Sequence, residues 1–268
     1  MTKNLHQFAY DCLIESDAAQ KCRMAKALFE GVSEGTLLAG AIDLPELEVA
    51  GRPERPELVH PREVPKRKLG TVQGRAAAIH SFCHIEFNAI NLACDAVYRF
   101  QGLPESFYLD WSRIAAEEAY HFGLLSKRLE TLGFSYGDFP AHNGLWELAQ
   151  KTSGDLLDRM ALIPRVMEAR GLDVTPAIQK KFKNVDDMET VRILDIILRD
   201  EITHVKAGTL WFHFVCNQRG LEPESTYLEL VKTYMKGDVQ CPMHFQARLE
   251  AGFSASELEM LQVMCQKR

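Results

Sequence analysis

The sequence predicts an all-α protein built on a four-helix bundle, with extra helices at both ends and a proline-rich extended arm. Three observations predict it. Apolar residues recur at helical spacing through most of the chain, and no segment alternates convincingly as a half-buried strand would. Gly and Pro breakers then divide the chain into four long helical segments. These segments carry, in order, Glu, Glu-x-x-His, Glu and Glu-x-x-His.

The stretch up to Gly31 reads as two short helices broken near Ser16-Asp17. From Leu44 to Gly70, Pro45, Pro53, Pro56, Pro61 and Pro65 crowd into a charged segment that cannot propagate a helix, and it is expected to lie as an arm over the bundle. The first long helix should run from Gly70 to Phe100, ending at Gln101-Gly102-Leu103-Pro104. The second follows from Ser106 to Leu132, with Gly133 as its cap. After a Gly, Pro and Asn loop and a short helix over 145–151, the third starts at Thr152-Ser153-Gly154-Asp155 and stops at Gly171. Thr175-Pro176 then reads as connection. The fourth spans Asp186 to Asn217 and ends at Gly220, before shorter C-terminal helices. The expected organisation is residues 1–70 as helices and arm, 71–220 as the bundle and 221–268 as C-terminal helices, all one structural domain.

Composition narrows the function classes. With 46% hydrophobic and 25% charged residues, the 268-residue chain can fill one large core or two small ones. A net charge of -6 argues against a strongly electrostatic nucleic-acid binder. No apolar run is long enough to cross a bilayer, and acids stand where a signal peptide would have its hydrophobic stretch, so a cytoplasmic protein without a membrane partner is expected. Seven cysteines, odd in number and without a CxxC pair, suggest reduced thiols rather than a disulfide framework or a zinc ribbon.

The chemistry lies in Glu86 on the first long helix, Glu118 and His121 on the second, Glu168 on the third, and Glu201 and His204 on the fourth. Residues three apart share a helix face, so each Glu-x-x-His offers a carboxylate and an imidazole together. One Glu from each of two helices and one Glu-x-x-His from each of the others is a known recipe for two metal ions in a bundle. A single pair means little: 23 Glu and 9 His give roughly 0.8 such pairs by chance. A third, Glu57-Leu-Val-His60, lies between Pro56 and Pro61 and should not be helical.

Spacing and position strengthen the other two. Glu86 to Glu118 spans 32 residues and Glu168 to Glu201 spans 33, a two-fold repeat of ligands. Trp111, Ile114, Glu118, His121 and Leu125 form one core stripe, and Leu194, Ile197, Glu201, His204, Trp211 and Val215 another. Phe82, Glu86, Ala89, Ala93 and Val97 repeat the arrangement with one carboxylate. Ionisable pairs inside apolar stripes cost several kcal/mol unless compensated, and metal ions would compensate them. On the third helix Pro164 should introduce a kink, which leaves Asp155 and Asp158 as alternatives to Glu168. Glu117 and Asp200 are candidates to hold the imidazoles, and Tyr120 and Trp211 to relay electrons. His80 and His84 read as structural or surface residues. His142, His244 and Arg248 could line a substrate mouth.

This residue set resembles the ferritin-like diiron carboxylate superfamily. Glu117-Glu118-Ala119-Tyr120-His121-Phe122, Gly144-Leu145-Trp146, Pro164-Arg165-Val166-Met167-Glu168 and Asp200-Glu201-Ile202-Thr203-His204 are closer still to a bacterial ferritin-like family of unknown function. A more distant likeness is to the diiron hydroxylase that modifies an adenosine of tRNA. The resemblance implies two metal ions, iron first and manganese second, on Glu86, Glu118, His121, Glu168, Glu201 and His204.

The leading expectation is an oxygen-dependent, diiron-type oxidoreductase such as a hydroxylase. It would act on a small organic molecule or a modified nucleoside, with electrons from an external donor because no nucleotide motif is present. Iron handling or peroxide detoxification without an organic substrate is the alternative, and an all-helical interaction protein a third. The chain is expected as a monomer or small homo-oligomer.

Overall fold

A computed structural model describes residues 3–43, 45–65, 68–236 and 239–266; Leu44, where the arm was expected to begin, lies outside them. The all-α class holds. Among the described residues the strands are β1 (Lys3–Asn4) and β2 (Leu37–Leu38), a two-residue parallel pair. The chain divides into two compact units, Met1–Gln150 and Lys151–Arg268.

In the first unit, α1 (Leu5–Ile14) and α2 (Ala18–Ser33) are separate helices because Asp17 turns the chain and caps α2, accepting from the Gln20 amide at 2.7 Å. Thr71 caps α3 (Val72–Arg99) in the same way. Pro104 precedes α4 (Glu105–Thr131), and both long helices match their expected spans to within two residues. From Phe87 to Tyr98 every residue of α3 is buried, which places this helix at the centre of the unit between α1 and α4. The short helix α5 (Gly144–Lys151) follows the loop.

The arm has little regular structure beyond a 3-10 turn at Pro61–Glu63. Its backbone carbonyls are gripped by side chains of the helices: buried Trp146 Nε1 donates to Glu48 O at 2.9 Å, half-buried Gln150 to Leu47 O at 3.1 Å, buried Lys21 Nζ to Gly51 O at 2.7 Å, and buried Tyr98 to Pro45 O. Glu57 and His60 lie on this non-helical segment, as the flanking prolines require, and His60 only caps the turn.

In the second unit the expected third helix is three pieces. The first is α6 (Leu156–Leu162), followed by a π-turn (Ile163–Glu168) and then α7 (Ala169–Lys183). Pro164 causes the change of register, because its ring would collide with the Met160 carbonyl in a regular α-helix, and the wider π-turn relieves that collision. Gly171 does not end the helix and Thr175-Pro176 is not a connection; both lie inside α7. Pro176 is tolerated eight residues into the helix, where the Thr175 hydroxyl donates to Gly171 O at 2.8 Å beside the missing amide bond.

Asp187 caps α8 (Met188–Arg219), and Gly220 ends it in the left-handed conformation at φ 64°. Helices α9 (Pro223–Met235), α10 (Phe245–Glu250) and α11 (Ala255–Gln266) complete the unit. One thiol expectation is corrected here. Cys241 and Cys265 are joined in a disulfide, their Cα atoms 6.2 Å apart, because the chain folds back through α10 and α11. Cys12, Cys22, Cys83, Cys94 and Cys216 are free. Among the described residues no helix is long and apolar enough to cross a membrane.

Candidate metal centre

The first unit brings three of the expected ligands together. Glu86 projects from α3 and is 4% exposed, while Glu118 and His121 project one turn apart from α4 and are fully buried. His121 Nδ1 lies 3.2 Å from Glu86 Oε2 and 3.5 Å from Glu118 Oε2, and ligand atoms of all three fall within 4.8 Å of one another. Ala89, Ala93, Ala115 and Ala119 are small residues buried on these two helices. Small side chains let helices approach closely, and Phe87 and Phe122, each one position after a ligand, bring their rings to 5.7 Å.

The electrostatics are those of a site waiting for positive charge. Burial raises the proton affinity of Glu86, and the neighbouring Glu118 carboxylate raises it further, with His121 opposing both. Burial alone would lower the pKa of His121, yet its hydrogen bonds to Glu118 and Glu86 and their charges outweigh that and push it up to about 11. Both acidic side chains thus favour a proton on the His121 ring. A divalent cation would supply more charge than that proton, and the donor set of two hard oxygens and an imidazole suits iron, manganese or zinc. The residues fit a metal ion.

In the second unit Glu201 and His204 sit one turn apart on α8, 9% and 0% exposed, with His204 Nδ1 3.7 Å from Glu201 Oε2. Glu168 is half-buried at the end of the π-turn, which packs on α8. The alternatives to it are otherwise engaged: Asp155 caps α6 and accepts from Nη1 and Nη2 of Arg219 at 2.7 and 2.9 Å, and Asp158 accepts from Tyr234. Glu117 pairs with Arg113 at 2.7 Å and Asp200 with Arg199 at 2.8 Å. Tyr120 is 55% exposed, whereas Trp211 is buried.

The remaining histidines and Arg248 have structural partners. His84 hydrogen-bonds the Tyr136 hydroxyl at 2.9 Å and the His142 carbonyl at 3.1 Å, and His80 accepts from the Gly137 amide at 2.9 Å. Arg248 is buried in a two-bond pair with Asp173, and His244 caps α10. Sequence reading missed the buried cations Lys21, Arg159 and Arg165. A Lys or Arg at a core position of the helical stripe was the only signal available, and such stripes tolerate long side chains at their edges.

One family model, described as "Protein of unknown function (DUF455)", matches residues 14–259. The chain belongs to the DUF455 family. The chain is also similar to an uncharacterized protein of Haemophilus influenzae (strain ATCC 51907 / DSM 11121 / KW20 / Rd), 45% identical over 255 residues that cover 90% of this chain and 88% of the relative. No solved structure matches. Glu86, Glu118, His121, Glu168, Glu201 and His204 all fall inside the DUF455 match.

Proposed function

We propose that this DUF455 protein is a ferritin-like metalloprotein whose six ligands, Glu86, Glu118, His121, Glu168, Glu201 and His204, serve one dinuclear centre of iron or, second, manganese. The observation that carries the reading is the buried trio of Glu86, Glu118 and His121, two carboxyl side chains and an imidazole with their ligand atoms drawn together in the core. The repeat of Glu then Glu-x-x-His at 32 and 33 residues extends the ligand set to the second unit. In this reading α3, α4, the α6-to-α7 segment and α8 are the four helices of the bundle.

Such a centre supplies oxygen activation when loaded with reduced iron, and the proposed activity is an oxygen-dependent oxidation of an organic substrate with electrons from an external donor. The protein's part is to hold and to exclude. The Glu86 and Glu118 carboxylates provide oxygen ligands, and His121 must release its proton to provide nitrogen. Phe87 and Phe122, packed against each other beside the ligands, help to keep that end of the site dry.

Metal analysis tests the reading. Anaerobic reconstitution with Fe(II) should give about two ions per chain, and Glu118→Ala and His204→Ala should each lower that number. Less than one ion per chain, unchanged by either substitution, would sink the proposal. Oxygen consumption dependent on an added organic substrate supports oxidation; consumption driven by Fe(II) alone points instead to iron handling or peroxide removal.

A further inference from the structure

The second unit buries Arg165 completely, inside the π-turn that ends on Glu168. Its guanidinium carbon lies 4.1 Å from the Tyr227 ring, 4.5 Å from that of Phe253 and 4.8 Å from that of Phe212. Nη2 donates to Glu257 Oε1 at 2.7 Å, and Nε and Nη1, with no hydrogen-bond acceptor, face this aromatic surround. The Arg165 carbonyl in turn accepts from the Tyr227 hydroxyl at 2.9 Å. Glu257 is fixed by accepting the Ser254 amide at 2.9 Å, and Phe253 is covered on another side by Arg248 at 5.1 Å. One residue earlier, Pro164 presses so closely on α8 that a Cβ on Gly208 would come within 2.3 Å of its ring.

A guanidinium so fully desolvated is a poor source of stability, since an apolar side chain of similar volume would fill the cage at lower desolvation cost. What an ion pair in a stacked cage gives is register. A π-turn holds one residue more than the α-helix it interrupts, so a slip back to α geometry rotates everything after it by about 100°. Glu168 is the last residue of that turn.

We propose that Arg165 is a positioning residue: caged by Phe212, Tyr227 and Phe253 and tied to Glu257, it locks the π-turn in register and thereby aims the Glu168 carboxylate. Helices α9 and α11 acquire a purpose from this, as the outer jaws of the clamp. The role of Glu168 as a ligand rests on the metal-centre reading above, whereas the locking of the turn does not.

The full-length double variant R165M/E257M, which removes both charges and keeps the volume, separates the two. In metal-free protein it should keep the wild-type helical circular dichroism yet exchange the amides of residues 163–169 at least tenfold faster, with α8 unchanged. Titrated with Co(II), it should show a visible absorption band altered from that of the wild type. Amide exchange within twofold of wild type, or an identical Co(II) band, overturns the proposal. A wild type that gives no Co(II) band refutes the metal reading instead, and the exchange result then decides the clamp alone. Should the double variant fail to fold, E257Q replaces it: faster exchange confined to 163–169 supports the clamp, and faster exchange throughout the unit, or none, overturns it.

Discussion

Lys21 is fully buried in the first unit, where its ammonium donates to Leu13 O at 3.0 Å, Gly51 O at 2.7 Å and Asn91 Oδ1. Burial lowers its pKa to about 8, against the smaller opposing pull of the Cys12 and Cys94 thiols. Between pH 8 and 10.5 the unfolded chain therefore binds more protons at this residue than the folded one, so its contribution to stability rises with pH across that window. Lys21→Met strands three acceptors and should destabilise by about 2 kcal/mol or more at pH 7.5. That deficit should widen by up to about 3 kcal/mol by pH 10.5, as read from urea unfolding of both proteins. His121 gives a second test. A divalent ion displaces its proton, so apparent Co(II) affinity should climb by about tenfold per pH unit between pH 6 and 8, with proton release visible by calorimetry in buffers of different ionisation enthalpy.

At the scale of elements, Gly208 and Pro164 set how closely α8 approaches the π-turn. Gly208→Ala forces a methyl into the Pro164 ring, so despite the better helix propensity of Ala it should lose about 1–3 kcal/mol. Thermal unfolding checks this, and Ala at Gly123, which meets no atom within 4 Å, is the control that should be neutral or stabilised. The same elements show what a single sequence discloses. Helices α3, α4 and α8 were legible because breakers bound them, Gly102 and Pro104 between the first two, Gly133 after the second and Gly220 after the last, whereas their caps Thr71 and Asp187 emerged only from the structure. Glu86, Glu118 and His121 were legible because polar residues interrupting an apolar stripe demand a partner. The run of α7 through Gly171 and Pro176 was not, since local propensity there opposes a helix that tertiary packing sustains. Nor was the cage around Arg165, whose members lie 47 to 92 positions from it in sequence.

For the whole molecule, a ligand that binds only the folded chain raises its stability by mass action. A free metal concentration one hundred times its dissociation constant should add about 2.7 kcal/mol, and more if both ions bind. Differential scanning calorimetry with and without Co(II) should show the rise for wild type and its loss in Glu118→Ala; equal shifts in both would place the bound ion elsewhere. The arm carries a different kind of consequence. It is held through the carbonyls of Pro45, Leu47, Glu48 and Gly51, groups that every amino acid shares. Selection can therefore rewrite its outward side chains, such as Glu46 and Val49, while Tyr98, Gln150, Trp146 and Lys21 stay fixed. Among descendants of this sequence, the strap should drift and its buckles should not.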